Sequence, residues 1–455
     1  GLGMLSFMAY TNVSGLAARH TSLDIINQGF GVIGAALVGP AMVTAFIRWF
    51  RPIALRLSFR NGATVARLAQ DNLLRNPRRT GSNVMSLMVG LLLTVMIGVV
   101  NVSFRKTINN WFTRVLRADF IISSAGDTIS YQTQPLHEDI GKELEAIPGV
   151  RVVEGKGALA TRFVHVNYEG QQLGIKAWDE PDSTVHYGLI DVQDRPVEEA
   201  GRELYHSPSP SLIVSEPFVM HFNKKTGDSI DLDTPSGRVA FKIVGVAVDF
   251  ASPTGVLYMD RKVYRKLWND PLVSAFGVSA APGTDRATLR AEIDRRLGRA
   301  RNLAILSNAE MREQLSQTVD KSFAYTRAIE GAALLVGMLG LLNTLLISVM
   351  ERMRELGMLR AVGMSRKQMS SMILQEALAQ GAFGALASAI LGTATAYLWI
   401  TYSLAHVMGW IIHFYMPWAT IGTTLLVGTA VALAAGFLPA RRASNVEIRE
   451  ALEYE

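Results

Sequence analysis

The stretch MERMRELGMLRAVGMSRKQM, residues 350–369, lies between two apolar runs, GAALLVGMLGLLNTLLISV at 331–349 and ALAQGAFGALASAILGTATAYL at 377–398. Residues 351–370 hold five basic and two acidic side chains. Met353, Leu356, Leu359 and Val362 recur at every third position, which predicts an apolar stripe along a short helix. Arg352, Arg354, Glu355 and Arg360 fall off that stripe. Gly363 supplies the left-handed residue that ends such a helix. Ser365 and Gln368 then form a capping box that opens the next one. The segment therefore reads as helix, glycine stop and capped restart: a rigid elbow fixed between two long apolar segments. Three uses fit an elbow of this kind: a basic face on anionic lipid, a solvated linker, or a helix seated in a groove of another protein. The two acids weigh against the first, and the stop and cap against the second.

Outward from the elbow the chain is rich in apolar residues. It is 455 residues long, 49% hydrophobic and 18% charged, where soluble domains carry about a quarter charged residues. Phe30–Trp49, Val84–Val102, Gly331–Val349, Ala377–Leu404 and Trp418–Phe437 are the five segments long and apolar enough to cross a bilayer, which takes ~20 residues. Arg48, at one extreme end, is their only charged residue. A charge at a helix centre costs ~2.5–3.5 kcal/mol on the insertion scale. Its absence argues for lipid-facing or tightly packed helices and against an ion-coupled carrier, whose pathway needs buried ionisable groups. There is no cysteine, which excludes disulfides and thiolate metal sites.

The charge distribution orients these segments. Arg48–Arg79 holds eight arginines and one acid, and the tail from Pro439 three basic and four acidic residues. With the elbow these give sixteen basic against seven acidic, whereas 104–320 has 26 basic and 29 acidic and 405–417 none of either sign. The positive-inside rule puts the first group in the cytoplasm and the last two outside. The formal net charge of +6 is thereby explained by membrane orientation, without nucleic acid. This topology leaves residues 1–29 outside although they carry no signal-peptide pattern. GLGMLSFMAY looks like the outer end of an earlier span, so the chain is expected to begin partway through a longer polypeptide; the alternative is a short N-terminus that crosses unaided.

The long outer segment, 104–320, reads as an α+β domain. ALATRFVHV, SLIV, DSIDL, RVAFKIVGVAV and GVLYM are rich in β-branched and apolar residues. HEDIGKELEAI, RATLRAEIDRRL and AEMREQLSQTV have helical spacing, the last with a Ser307–Glu310 capping box. Turns are expected at 148–149, 226–228, 235–237 and 282–285. Both flanks continue the helical pattern toward the neighbouring spans, as a stalk would; a helix on the lipid surface, anchored by Trp111 and Phe112, is the alternative. Histidines at 137, 165, 186, 206 and 221 are scattered, and no metal site is assigned to them. Ser215, in VSEPF, lacks a glycine-flanked elbow and reads as a helix N-cap with Pro217 in the first turn. No catalytic residues are assigned, and the chain is not expected to be an enzyme.

ERMRELGMLRAVGMSRKQMSSMILQEALAQGAFGALASAILG resembles the core of FtsX/MacB-type ABC transporter permeases. The matching residues are Glu351, Arg352, Glu355, Leu356, Gly357, Leu359, Arg360, Ala361, Val362, Gly363 and Glu376. RLAQDNLLRNPRRTGSNVMSLMVG resembles the family's elbow segment, and FLPARRASNVEIREALEYE its C-terminal end, so the resemblance covers about residues 53–455. It implies that 351–363 is a coupling helix docking on a separate ABC ATPase dimer, with Glu351, Arg352, Arg354, Glu355, Leu356, Gly357, Leu359, Arg360 and Gly363 as the coupling residues. The chain has no G-x-x-x-x-G-K-[ST], so ATP and Mg would belong to that partner, with no cofactor in this chain. The extra span implies the second half of a two-unit permease in a bacterial cytoplasmic membrane. Its further partners would be a second permease unit, membrane lipid and an extracytoplasmic protein or lipoprotein, but no nucleic acid.

The expected fold is thus a membrane α-helical bundle of five spans with a large extracytoplasmic α+β domain. The expected order is a lead-in (1–29), first span (30–50), elbow (51–79), second span (80–103), outer domain (104–320), third span (321–350), coupling helix and turn (351–370), fourth span (371–404), outer loop (405–417), fifth span (418–438) and tail (439–455). Gly381, Gly384, Ser388 and Gly392 offer small-residue packing in the fourth span, either against a second permease unit or within one bundle. The function implied is coupling of ATP hydrolysis to movement of the outer domain. That movement would serve export or extraction of a hydrophobic or lipidated substrate, or mechanotransmission to an outer partner. The alternative is a membrane-anchored sensor whose outer domain binds a ligand and signals to a cytoplasmic partner.

Overall fold

The computed structural model describes all residues except 15, 17–20, 58–62, 76, 116–117, 125–133, 181–190 and 446–455. His186 and most of the C-terminal motif lie outside the described residues. The chain divides into two compact units. One comprises Gly1–Phe104, Lys321–Ser403 and His413–Glu455; the other comprises Arg105–Asp320 and Leu404–Ile412.

Along the chain, α1 (Leu2–Val13), α2 (Thr21–Leu57), α3 (Ala63–Arg75) and α4 (Pro77–Val115) come first. Helix α2 runs through the junction expected near residue 50 and starts well before Phe30. Helix α4 opens on proline, whose missing N–H costs nothing in the first turn, and it continues unbroken past Val102.

The second unit carries a ten-stranded sheet among the described residues, in the order β10-β1-β9-β2-β3-β8-β5-β7-β4 with β6 paired on β7. The strands are β1 (Phe120–Ser124), β2 (Ala158–Tyr168), β3 (Gln171–Trp178), β4 (Asp191–Val192), β5 (Ser211–Ser215), β6 (Ser229–Thr234), β7 (Gly237–Val248), β8 (Val256–Asp260), β9 (Ala275–Val278) and β10 (Leu303–Ser307). Two pairings, β3 with β8 and β5 with β7, are parallel. Helices α5 (Asp139–Glu145), α6 (Val197–His206), α7 (Glu216–Phe222), α8 (Arg261–Trp268), α9 (Arg286–Ile293), α10 (Arg299–Arg301) and α11 (Asn308–Ser322) complete the unit. Two cores lie along the sheet. One gathers Ile122, Leu144, Phe276 and Ile293; the other gathers Leu173, Phe218, Phe241 and Met259. Gly149, Gly227, Gly237 and Gly283, all at positive φ, close the four expected turns. Ser307 and Glu310 bond reciprocally, Ser307 N–H to Glu310 Oε2 at 2.9 Å and Glu310 N–H to Ser307 Oγ at 3.2 Å.

Three readings need correction here. Ser215 occupies the N-cap position of α7, but its hydroxyl makes no cap bond; it accepts the Val256 N–H at 2.8 Å and so ties β5 to β8. Trp111 is not a lipid anchor alone: its Nε1 donates to Val248 O at 2.8 Å and its ring meets Phe250 edge-on. Of residues 405–417, expected as a short outer loop, the part up to Ile412 groups with the sheet unit, with Trp410 packed near Phe250 and Gly409, at φ +75°, against the Pro253 backbone.

The remaining helices are α12 (Ala324–Glu351), α13 (Met353–Ala361), α14 (Arg366–Trp399), α15 (Ala405–Met408) and α16 (Trp418–Ser444), with a π-turn at Ile400–Leu404. Among the described residues, five helices are long and apolar enough to cross a membrane: Leu23–Val43, Thr80–Thr113, Asn308–Glu351 (which counts α11 and α12 together across Phe323), Arg366–Leu404 and Trp418–Ser444. Helix α14 is central to their packing. One side meets α2 and α4 through Phe383 and Ala387; the other meets α16 in a ladder of small residues. Ala377 faces Gly436, Gly381 faces Ala432 and Ala385 faces Gly428, so the helices run antiparallel at backbone contact. Gly384 and Gly392 lie against Val84, Leu87 and Val95 of α4, and Ser388 Oγ donates to Met88 O at 3.3 Å. The small-residue rows thus pack against α16 and α4 of this chain. A Cβ at Gly436 would stand 2.6 Å from that of Ala377. Gly436→Leu is therefore expected to destabilise the helical unit by about 1–3 kcal/mol through overpacking, read as a lower thermal midpoint in detergent. Gly422→Leu, with open space around it, is the neutral control.

Candidate functional site: the elbow and its socket

Helix α13 is short, and what holds it is a local core. Val349 of α12, Leu356 of α13, Met369, Met372 and Ile373 of α14, Val65 and Ala69 of α3, and Ala440 and Ala443 of α16 form one buried cluster. Leu356 is 1% exposed and Gly357 is buried beside it. Gly363 at φ +108° ends the helix. Gln368 N–H donates to Ser365 Oγ at 3.2 Å, and Ser365 N–H to Gln368 Oε1 at 2.9 Å, so α14 restarts through the expected capping box.

A buried ion pair fixes the elbow from within. Arg352 Nη1 stands 3.2 Å from Glu376 Oε2, with both side chains almost fully buried. Asn72 Nδ2 of α3 donates to Glu376 Oε1 at 2.8 Å, and Arg352 Nε reaches Glu355 at 3.4 Å. Buried charges need partners that also satisfy their remaining hydrogen-bonding positions, and here α3, α13 and α14 meet at one carboxylate. The sequence places Glu376 near the end of a span, and the structure gives it this internal role.

The predicted coupling residues separate into three sets. Arg352, Leu356 and Gly357 are buried in the socket and present no surface. Leu359 and Arg360 are half-buried. Glu351, Arg354, Glu355 and Gly363 are exposed, with Met358 between them 48% exposed. Val362, expected in the buried stripe, is 88% exposed because it follows the last helical residue. The exposed stripe thus runs Glu351, Arg354/Glu355, Met358, Val362, charged at its start and apolar at its end, one helical face away from the stripe that periodicity selects.

In the sheet unit the histidines have separate surroundings. His137 pairs with Asp139 at 2.9 Å, His206 with Glu180 at 3.1 Å, and His221 Nδ1 lies 2.9 Å from Pro217 O. Among the described residues no group of three His, Asp or Glu is placed to hold a metal ion. Lys156, His206 and Lys262 around Glu180 outweigh its burial and hold its carboxyl below the usual range.

In chain order a sheet unit falls between the second and third candidate membrane helices, and a rigid elbow between the third and fourth. Residues 328–448 match the family model of the FtsX-like permease C-terminal domain. The chain is 28% identical over 94% of its length to an uncharacterized ABC transporter permease protein of Mycobacterium tuberculosis, covering 51% of that protein. It is 23% identical over 84% of its length to the ABC transporter permease YknZ of Bacillus subtilis, covering all of it. It is 32% identical over 32% of its length to the macrolide export ATP-binding/permease protein MacB of Rhodopirellula baltica, covering 20% of that protein. The chain spans about half the length of the first curated relatives it matches, 51% and 58%. The periplasmic region of MacB from Actinobacillus actinomycetemcomitans aligns over 47% of the chain and 98% of that structure, at a TM-score of 0.33 and 11% identity.

Proposed function

We propose that this chain is the membrane subunit of an ABC transporter that converts ATP hydrolysis by a separate cytoplasmic ATPase dimer into movement of its sheet unit outside the cytoplasm. The observation that carries the reading is α13: an exposed face of mixed polarity, Arg354, Glu355 and Met358, on a helix whose other face is bolted to α3, α14 and α16. A helix meant to pass on displacement needs a free face for the engine and a rigid seat in the bundle, and a flexible linker supplies neither. ATP and Mg belong to the partner. A second permease unit, membrane lipid and an outer protein or lipoprotein complete the assembly, in a bacterial cytoplasmic membrane. The uncharged spans favour a hydrophobic or lipidated cargo taken from the outer leaflet, or force passed to an outer partner.

The chain has no cysteine, so a single thiol is a clean probe. With a thiol crosslinker, Met358→Cys is expected to capture the co-purified ABC ATPase, identified by its Walker A peptide. Leu356→Cys, buried in the socket, is expected to capture nothing. Equal labelling of both positions, or none at Met358 in a complex that retains ATPase activity, refutes the docking face.

A further inference from the structure

The sequence argues against buried ionisable groups in the spans, and Asp24 is a departure from that. It stands before the expected start of the first span at Phe30, but α2 begins at Thr21 and carries Asp24 into the candidate membrane helix Leu23–Val43. There its side chain is 0% exposed. Gln28 Nε2 donates to its Oδ1 at 3.0 Å and Trp399 Nε1 to its Oδ2 at 2.9 Å, while Ser403 Oγ also donates to Oδ1. A polar network continues behind it. Asn27 Nδ2 and Gln28 Nε2 donate to Asn12 Oδ1 at 3.1 and 3.4 Å, and Thr11 Oγ1 donates to Asn27 Oδ1 at 2.7 Å.

Every described side chain bonded to Asp24 is neutral. No Asp, Glu, Lys, Arg or His occurs in 2–13, 25–47 or 377–404, the parts of α1, α2, α14 and the π-turn that pack here. The phenols on these elements, Tyr10, Tyr397 and Tyr402, are exposed. Arg19 and His20 lie outside the described residues. A carboxylate enclosed by neutral groups inside a candidate membrane helix is costly, and ionisable residues within spans mark ion or proton sites. Two of its partners are N–H groups that only donate, but a serine hydroxyl donates or accepts. Turning the Ser403 hydroxyl lets the same pocket hold either a carboxylate or a carboxylic acid whose O–H points at Ser403 Oγ. A second observation concerns the same network: Asn12 Nδ2 and Gln28 Oε1 are buried without a hydrogen-bond partner. One orphan donor and one orphan acceptor suit a single bridging water, which gives a proton a route to the carboxylate. The π-turn that presents Ser403 is a rare form of helix, frequent at functional sites.

We propose that Asp24 is a proton-binding site of the helical unit. A proton from water adds to Oδ1, the Ser403 hydrogen bond reverses, and no other bond changes. The proposal rests on these helices lying in a bilayer and is independent of ATPase docking at α13, so either can fail alone. The test is infrared difference spectroscopy of the full chain in lipid vesicles, titrated between about pH 4 and 9. The expected result is a carboxylic-acid C=O band that grows as pH falls, shifts in D2O and is absent in Asp24→Asn. Ser403→Ala should move its frequency, and Asp24→Glu, the variant to use if Asp24→Asn does not fold, should retain a displaced band. A spectrum identical in wild type and Asp24→Asn, or a band of constant size across the range, overturns the proposal.

Discussion

On the proposed docking of an ABC ATPase at the elbow, Glu376→Ala is expected to abolish most of the coupling, cutting permease-stimulated ATP hydrolysis by ~10-fold or more. The substitution leaves Arg352 buried without its main counter-charge, and breaking a buried pair from one side costs about 3–5 kcal/mol. It also frees Asn72, so α3 and α13 lose their common attachment at once. Two further variants separate position from mere stability. Glu376→Gln keeps a carbonyl for Asn72 and should fall between wild type and Ala. Arg352→Met with Glu376→Leu replaces the pair by apolar groups of similar size, which is often neutral for stability; thermal stability should return while stimulation stays low, because the directional bonds that set the helix are gone. Full stimulation in Glu376→Ala would exclude the pair as the device that positions α13.

The second large effect is expected in the sheet unit. Lys176 Nζ stands 2.6 Å from Asp249 Oδ2, both buried, and Tyr258 Oη donates to the same oxygen. Asp249 also accepts the Ala251 N–H at 2.5 Å. Asp249→Ala removes the carboxylate that faces this buried ammonium, at about 3–5 kcal/mol. For a unit of this size that lowers the melting midpoint on the order of 10 °C. Lys176→Met should cost less, since the carboxylate keeps the tyrosine hydroxyl and the backbone N–H. Tyr258→Phe should cost least, about 1 kcal/mol for one hydrogen bond. Calorimetry of the full chain in detergent gives the order, and a Lys176→Met variant weaker than Asp249→Ala would contradict this account.

Spans and elbow were legible because their signals are local. Runs without charge, a glycine stop and a Ser-x-x-Gln box need no tertiary information. The same holds for β2, β5, β6, β7 and β8, whose β-branched content stands out. Strand β3, QQLGIKAW, hides a lysine that only the fold pairs with Asp249. Strands β1, β9 and β10 are four or five residues long, too short for alternation to show. At the elbow, periodicity gave the right helix and the right inward residue, Leu356. It misplaced Val362, because an apolar side chain one position past a helix end has no face to join. Asp24 was missed for a related reason: hydropathy places a span boundary by average polarity, and the Thr-Ser-Leu-Asp start of α2 reads as loop until Trp399 and Ser403 are brought to it. The small-residue ladder was half visible, since its α14 side was apparent and its partners Gly428, Ala432 and Gly436 became meaningful only once α16 ran antiparallel to it.

Strand β2 pairs with β9 over Ala158–Thr161 and with β3 over Thr161–Tyr168. One continuous chain therefore serves both cores of the sheet, changing neighbours at Thr161. Cross-strand bonds lie perpendicular to the strands. A pull along β2 loads them together, in shear, whereas a sideways pull peels them one by one. The unit is thus stiff to tension along that strand and yielding to tearing at its edges, a mechanical grain that decides from which direction it can be worked.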